Sequence, residues 1–188
     1  MAESILEFLR GDCYNQDMTN KGVIIFGDPV LRKKALPVAR IDGRIRDLSA
    51  RMFDVMKKAR GIGLAANQVG ALDCVVVIDT NRGDTKGHCF TLINPELIGS
   101  KGSVKLEEGC LSFPDLSAEV ERHEKVGFAA TGLDGKKFEF EADGILARAV
   151  QHEIDHLNGV LFVDHLGITK KMLLKKQLEE LKKLSKKS

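Results

Sequence analysis

The chain lacks the features that would place it in a membrane or in a disulfide-stabilised fold. No apolar stretch approaches the length needed to span a bilayer, and the amino terminus has no basic region leading into an apolar one, as a secretory signal would. The four cysteines, at positions 13, 74, 89 and 110, have no C-x-x-C spacing, which argues against a zinc ribbon and a disulfide framework. We therefore expect reduced thiols and a cytoplasmic location.

The chain also has little net charge, but that charge is unevenly distributed. The total is +2, whereas residues 169–188 alone hold eight lysines and two glutamates. With 188 residues and 43% hydrophobic residues, the chain is suited to one domain with a substantial core. We predict an N-terminal extension in residues 1–22, a folded domain in residues 23–168 and a basic C-terminal helix in residues 169–188.

The hydrophobic patterns indicate one early helix, then a run of strands, then two helices. Helical spacing of apolar residues covers 42–60, and a second helix is predicted from Asp143 to Gly159 before the basic one. Strands are predicted at residues 74–79, 90–94, 126–131 and 137–141. The short connections between these strands favour antiparallel pairing. This order predicts an α+β fold, with antiparallel strands packed around a central helix and a C-terminal helix.

The central helix contains the pattern H-E-x-x-H at residues 152–156. Side chains four residues apart lie on the same helix face, so His152 and His156 can reach one divalent ion while Glu153 projects beside them. Ile145 and Ala149 fall on the same face, which is therefore predicted to be buried. A histidine on such a face is more often a hydrogen-bonded core residue, so the pattern alone leaves both readings open.

A catalytic zinc-type site needs a third protein ligand, and Cys110 is the best candidate. It lies in E-E-G-C-L-S-F-P, where glycine and proline indicate an irregular bend that can bring a thiolate close to an ion. A buried structural cysteine is the alternative. The segment 61–70, G-I-G-L-A-A-N-Q-V-G, matches a dinucleotide-binding fingerprint, but it follows a helix and leads into a strand, which is the wrong context. We favour a tight backbone that offers Gln68 as a neutral hydrogen-bond donor.

The three segments G-I-G-L-A-A-N-Q, E-G-C-L-S and Q-H-E-I-D-H, in this order and spacing, closely resemble the signature motifs of bacterial peptide deformylases. The resemblance implies a metal-dependent hydrolase that removes the formyl group from the N-terminal formylmethionine of new polypeptides and releases formate. It implies Cys110, His152 and His156 as metal ligands and Glu153 as the acid/base. It also implies Gln68 and the Leu111 N–H as the oxyanion site. Residues 23–168 would then form the catalytic metallohydrolase domain.

The same resemblance implies one divalent ion per chain, with Fe²⁺ as the native metal and Zn²⁺ as a possible occupant. Nascent formylmethionyl peptides are the expected partners. Binding to DNA or to a membrane is not expected. A methionine side chain needs an apolar slot, for which we select Ile62, Gly63, Leu64, Ala149 and Val150, although core packing explains the same residues.

Supporting contacts are expected around the three ligands. The resemblance implies an ion pair between Glu108 and Arg122. Asp155 is expected either to orient a ligand ring or to lie exposed on its helix.

The match to the deformylase pattern is incomplete at three positions. Asn67 stands where many deformylases have proline, a change that we expect to be mild. Ser117 replaces a common arginine, which puts a contact to the peptide backbone in doubt. Gly27 also replaces a common proline. The segment 169–188 is expected either to dock on ribosomal RNA or to be a solvated lysine face packed through Leu174, Leu178 and Leu181.

Two other functions compete with this interpretation. A metallopeptidase shares H-E-x-x-H but takes its third ligand downstream, where His165 is the available histidine. A structural metal module that binds RNA through its lysines would surround the ion with four protein ligands and would not need Glu153.

Overall fold

A computed structural model of the chain describes residues 22–81 and 87–186. The extension predicted for residues 1–22 lies outside these ranges except for its last residue. The α-helices are α1 (Gly43–Lys58), α2 (Gly144–Leu157) and α3 (Ile168–Ser185). The strands are β1 (Gly63–Ala65), β2 (Val75–Asp79), β3 (Cys89–Lys101), β4 (Val104–Gly109), β5 (Ser117–Arg122), β6 (Lys125–Thr131) and β7 (Lys137–Asp143). Short 3-10 helices occupy Pro29–Arg32, Ala66–Val69 and Phe162–His165.

The strands form one large sheet and one separate ribbon. Five strands pair in the order β1-β2-β3-β6-β7, and every pairing is antiparallel. Strands β4 and β5 pair only with each other in the described part of the chain. The predicted α+β fold with antiparallel strands is therefore confirmed.

The large sheet lies between two helices, and strand β2 shows how. Val76 and Ile78 belong to the hydrophobic core shared with α2, while Val75 and Val77 belong to the core shared with α1. Alternate side chains of a strand point to opposite faces of a sheet, so these four buried residues fill both cores. Helix α2 is thus the central, largely buried helix that the sequence predicts.

Helix α2 has the limits that its sequence indicates. Asp143 occupies the N-cap position, and Gly159 follows the C-cap with φ 71°. A Cβ at Gly159 would lie 2.5 Å from the backbone oxygen of Arg32, so this close approach requires glycine. The expectation that Ile145 is buried is wrong: its exposed fraction is 58%, because the first turn of α2 lies at the mouth of a cleft.

Helix α3 is attached to the rest of the protein through its leucines. Leu174, Leu178 and Leu181 pack on a third core that includes Phe26 and Phe113. The predicted leucine-packed arrangement of this helix is confirmed, and its described lysines are exposed.

The ribbon and the short strand β1 were not predicted, and β3 extends well beyond the predicted residues 90–94. Strand β4 reads V-K-L-E-E-G and strand β5 reads S-A-E-V-E-R, so most of their side chains are charged or exposed. The apolar alternation in each strand is limited to two residues among charged ones, Val104 and Leu106 in β4 and Ala118 and Val120 in β5, so the signal of a half-buried strand is weak. In the part of the chain that the structure covers, no helix is long and apolar enough to cross a bilayer.

Candidate metal centre

Helix α2 and the turn after β4 bring Cys110, His152 and His156 together. Their candidate ligand atoms all lie within 4.8 Å of one another. The Sγ atom of Cys110 is 3.2 Å from Nε2 of His156. Both histidines are buried, and among residues 22–81 and 87–186 this is the one group with the spacing of a metal site.

The turn that carries Cys110 is held by the hydrophobic core beside it. Strand β4 ends at Gly109, and the N–H of Phe113 donates to the Cys110 carbonyl at 2.8 Å. The Phe113 ring is buried between Phe26 and Phe162, with ring centroids 4.7 and 4.9 Å away. This packing places the thiol at the end of the ribbon, opposite helix α2.

Glu108 is a buried carboxylate that connects the ribbon to the ligand histidines. It accepts from His152 Nδ1 at 2.6 Å and from Arg122 Nη2 at 2.8 Å, both on Oε1. Arg148 Nη1 donates to Oε2 at 2.9 Å. Burial alone would raise the pKa of Glu108, but the bonds from His152 and Arg122 outweigh it and hold that pKa far below its usual range.

The bond between Glu108 and His152 fixes which ring nitrogen is available to an ion. Because Nδ1 is occupied, Nε2 of His152 is left for coordination. The predicted pair of Glu108 and Arg122 is present, whereas the contacts of Glu108 with His152 and Arg148 were not foreseen. A glutamate on a charged strand gives no sign in the sequence that it is buried.

Asp155 and His165 extend this network on its outer side. Arg122 Nη1 donates to Asp155 Oδ2 at 2.5 Å, and His165 Nε2 lies 2.7 Å from the same oxygen. Asp155 therefore holds Arg122 rather than a ligand ring. His165 is not a member of the ligand cluster.

Burial lowers the pKa of both histidines, but their net pKa shifts have opposite directions. Burial lowers the pKa of His156 well below its usual value, so that imidazole is held neutral. Burial also lowers the pKa of His152, but Cys110 and Glu108 outweigh it and raise that pKa well above the usual value. A divalent cation binds deprotonated imidazole and sulfur ligands, so its binding at this cluster would release the proton that the raised pKa keeps on His152.

Glu153 lies beside the cluster in a buried position. Its exposed fraction is 4%, and its Oε2 has no hydrogen-bond partner among the described residues. Burial raises the pKa of Glu153 to about 7. A Cβ at Gly63 would lie 2.4 Å from Glu153 Oε1, so the glycine of β1 leaves room for this carboxylate.

Gln68 is oriented by contacts at both ends of its amide. Its Oε1 accepts from the Ala65 N–H at 2.8 Å, while its Nε2 donates to Ser112 Oγ at 3.1 Å. The same Nε2 is 3.5 Å from Cys110 Sγ, so the amide nitrogen faces the cluster. The segment forms a strand and a 3-10 helix, which excludes the dinucleotide-binding arrangement at this site.

A cleft of about 1030 Å³ opens onto the cluster. Ile62, Gly63 and Ala149 line it, and so does Leu111. The expectation that Leu64 and Val150 also line the slot is not met, because both are fully buried in the hydrophobic cores. Leu64 follows Gly63 in strand β1, and Val150 follows Ala149 in helix α2. In each pair the first residue lines the cleft and the second points into a hydrophobic core.

The site can also be compared with known proteins. The family described as polypeptide deformylase matches residues 20–172. A peptide deformylase of Alkalilimnicola ehrlichii is 44% identical over 159 residues, which span 85% of this chain and 89% of that protein. The crystal structure of a peptide deformylase from Legionella pneumophila has a TM-score of 0.81 and 42% identity, and the match covers 90% of this chain and 99% of that one. A plant peptide deformylase structure has a TM-score of 0.85 and 36% identity, over 93% and 96% of the two chains. The chain belongs to the peptide deformylase family, and it is a hydrolase that removes the N-formyl group of nascent polypeptides.

Proposed function

We propose that Cys110, His152 and His156 hold one divalent ion, at which the formyl group is removed from N-terminal formylmethionine and released as formate. The convergence of three ligand-type atoms within 4.8 Å carries this proposal. Three protein ligands with further positions open to water are typical of a catalytic site. The ring orientation that Glu108 imposes on His152 supports the same ligand set.

An ion held there would supply Lewis acidity and lower the pKa of a bound water from about 15.7 to about 7. A thiolate ligand offsets one positive charge of the ion, which a third neutral histidine would not do. From the family resemblance we infer Fe²⁺ as the native ion and Zn²⁺ as one that the same donors accept, although affinity trends alone would not favour iron. Exposure to air should then inactivate the iron form, through oxidation of the ion or of the Cys110 sulfur.

Glu153 is proposed as the general base and then the general acid. Its carboxylate is buried next to His152, and burial raises its pKa towards neutrality, which favours a group that both accepts and returns a proton. It would take a proton from the attacking water and deliver it to the nitrogen of the leaving methionine. The C–N bond of the formamide breaks in this step, so formate and a free amine result.

Gln68 and the Leu111 N–H are proposed to stabilise the charge that develops on the formyl oxygen. The amide nitrogen of Gln68 is held facing the cluster by Ala65 and Ser112, so it needs no reorientation during the reaction. Each preorganised donor of this kind contributes on the order of 3 kcal/mol to the transition state.

The methionine side chain is proposed to bind in the cleft beside Ile62, Gly63 and Ala149. Ser117 and Glu107 also line this cleft, and Ser117 Oγ donates to Glu107 Oε1. The carboxylate of Glu107 is exposed there, where an arginine at position 117 would have added a positive charge. We therefore expect that acidic side chains after the formylmethionine do not increase the affinity of a peptide for this enzyme.

The test is formate release from a formylmethionyl tripeptide by protein that is purified anaerobically and assayed for metal content. We expect one ion per chain and formate production in the wild type. Glu153→Ala should retain the ion and lose most activity. A protein that binds its ion but releases no formate from any formylmethionyl peptide would contradict the proposal.

A pair of variants separates this site from a metallopeptidase site. Cys110→Ser should lose the ion or bind it much more weakly, whereas His165→Ala should keep it, because His165 contacts Asp155. The opposite result would favour the metallopeptidase. A structural metal module is disfavoured because the cluster offers three ligands among the described residues and lies on an open cleft.

We also propose that the enzyme acts in the cytoplasm on nascent chains and contacts ribosomal RNA through the basic segment 169–188, outside the catalytic domain at 23–168. The described lysines of α3 are exposed while Leu174, Leu178 and Leu181 face the protein, so a basic surface remains available. Reversing Lys175 and Lys176 to glutamate keeps the leucines and should abolish any salt-sensitive ribosome binding. Unchanged binding would refute this contact.

A further inference from the structure

Arg148 of α2 makes several hydrogen bonds to the β4–β5 ribbon, and the proposed function does not account for them. Its guanidinium donates to Glu108 Oε2 at 2.9 Å and to the backbone oxygens of Val104 and Val120 at 3.2 and 3.3 Å. A longer contact of 3.5 Å reaches the oxygen of Leu106. The residue is only 7% exposed. One arginine of α2 therefore contacts both strands of the ribbon.

The ribbon depends on such contacts for its position. Strands β4 and β5 pair with each other and with no strand of the large sheet in the described structure. An isolated two-stranded ribbon is marginally stable by itself, so its placement must come from what it packs on. Cys110 follows β4 directly, while His152 and His156 belong to α2. The separation of thiol and imidazoles thus depends on how the ribbon is held against this helix.

The two arginines that contact Glu108 have different effects on that placement. Arg122 pairs with Glu108 inside the ribbon and reaches α2 only through its bond to Asp155, on the outer side of the network. Arg148 belongs to α2, so its pair with Glu108 and its bonds to the ribbon carbonyls join the two ligand-bearing elements. The planar guanidinium has five donors in a fixed fork, which a lysine ammonium cannot reproduce.

We propose that Arg148 is a positioning residue that fixes the Cys110 thiolate at coordinating distance from His152 and His156. This inference rests on the ligand set proposed above. Arg148 also lines the cleft, but its guanidinium is occupied by the ribbon, so its carbon chain forms cleft wall. Its loss should therefore weaken metal binding rather than substrate binding.

The experiment loads metal-free protein with Co²⁺ and measures the dissociation constant by chelator competition, together with the thiolate-to-cobalt charge-transfer absorption. The variants are Arg148→Met, which keeps the length of the side chain, and Arg148→Lys, which keeps its charge. Arg44→Met is the control, because it removes an exposed arginine paired with Asp73 away from the cluster. Circular dichroism melts establish that each protein is folded.

We expect Arg148→Met to raise the dissociation constant about 10–100-fold and to weaken the sulfur absorption per bound ion, as the loss of an outer partner of a metal site does. Arg148→Lys should recover only part of the loss, and Arg44→Met should match the wild type. A folded Arg148→Met protein with wild-type affinity and spectrum would overturn the proposal. If Arg148→Met does not fold, Arg148→Lys decides by the same two readouts. Absence of the sulfur band in the wild type would instead contradict the ligand set.

Discussion

Replacing Gly63 by alanine should displace the proposed acid/base without disturbing the ligands. The added Cβ would lie 2.4 Å from Glu153 Oε1 and 3.0 Å from its Cδ and Cγ. Ordinary contact begins near 3.4 Å, so the carboxylate must move by about 1 Å. The backbone of β1 has little freedom to yield, because Gly63 is paired with Ile78 of β2. The three atoms nearest to this Cβ all belong to Glu153.

A displacement of about 1 Å at a reacting group costs on the order of 100-fold in rate, equivalent to about 2.7 kcal/mol of activation free energy. We therefore expect Gly63→Ala to lower kcat about 100-fold, with one ion still bound per chain. The overpacking should also lower the free energy of unfolding by about 1–3 kcal/mol. Formate release and metal content are measured on the same samples.

Gly99→Ala is the matched control, since Gly99 also lies in a strand and a Cβ there meets nothing within 4 Å. It should have wild-type kcat. Wild-type kcat in Gly63→Ala would refute the argument that Glu153 must occupy its observed position. A parallel loss of metal would show instead that the substitution disturbs the ligands.

Three further predictions concern residues outside the ligand set. Asn67 is buried and its Nδ2 donates to the backbone oxygen of His156, so Asn67→Ala should cost about 1–3 kcal/mol of unfolding free energy in a urea titration; an unchanged midpoint would contradict this. Gly27 has φ 116° and a Cβ there would lie 2.8 Å from the backbone of α3, so Gly27→Ala should release α3 and speed its proteolysis; equal cleavage rates would count against it. Burial raises the pKa of Asp164, but its bond to Arg32 outweighs this and lowers it. The resulting stability is present above pH 3.8 and is lost as the pH falls below it. The unfolding free energy of Asp164→Asn should therefore fall less steeply than that of the wild type as the pH is lowered. Equal slopes in the two proteins would show that the pair of Arg32 and Asp164 does not contribute to the acid sensitivity.

The helices and most strands of the large sheet could be predicted because their apolar residues follow one clear period. In α1, Ile45, Leu48, Met52 and Met56 are all buried, as their helical spacing indicates. In α2, the same spacing placed both histidines on the inner face. The limits agree to within a few residues, because Asp42 accepts from the Ile45 N–H at the start of α1 and Gly159 adopts positive φ after α2.

The polar framework around the ligands could not be predicted from these patterns. Glu108, Arg122 and Arg148 occupy positions that look solvent-exposed, yet each is at most 7% exposed. They are buried because they satisfy one another and the ribbon carbonyls, and this pairing depends on three-dimensional contacts between β4, β5 and α2. Hydrophobic periodicity carries no information about such contacts, so the ribbon and its connection to His152 were missed together.

The substrate slot was predicted only in part for a related reason. Ile62 and Leu64 both read as apolar positions near the motif, but Leu64 is buried between β1 and α1 while Ile62 lines the cleft. Ala149 and Val150 differ in the same way on α2. Sequence proximity to the ligands selects the right segments, and only the packing of each segment decides which side chains face the cleft.

X-ray absorption spectroscopy of the metal in the loaded protein tests the central claim most directly. The proposed ligand set predicts one sulfur at about 2.3 Å and two imidazole nitrogens at about 2.0–2.1 Å for Zn²⁺, with at least one light atom from water. Substituting Cys110 with serine should remove the sulfur scatterer. An ion without a sulfur neighbour, or one surrounded by four protein ligands with no water, would contradict the account.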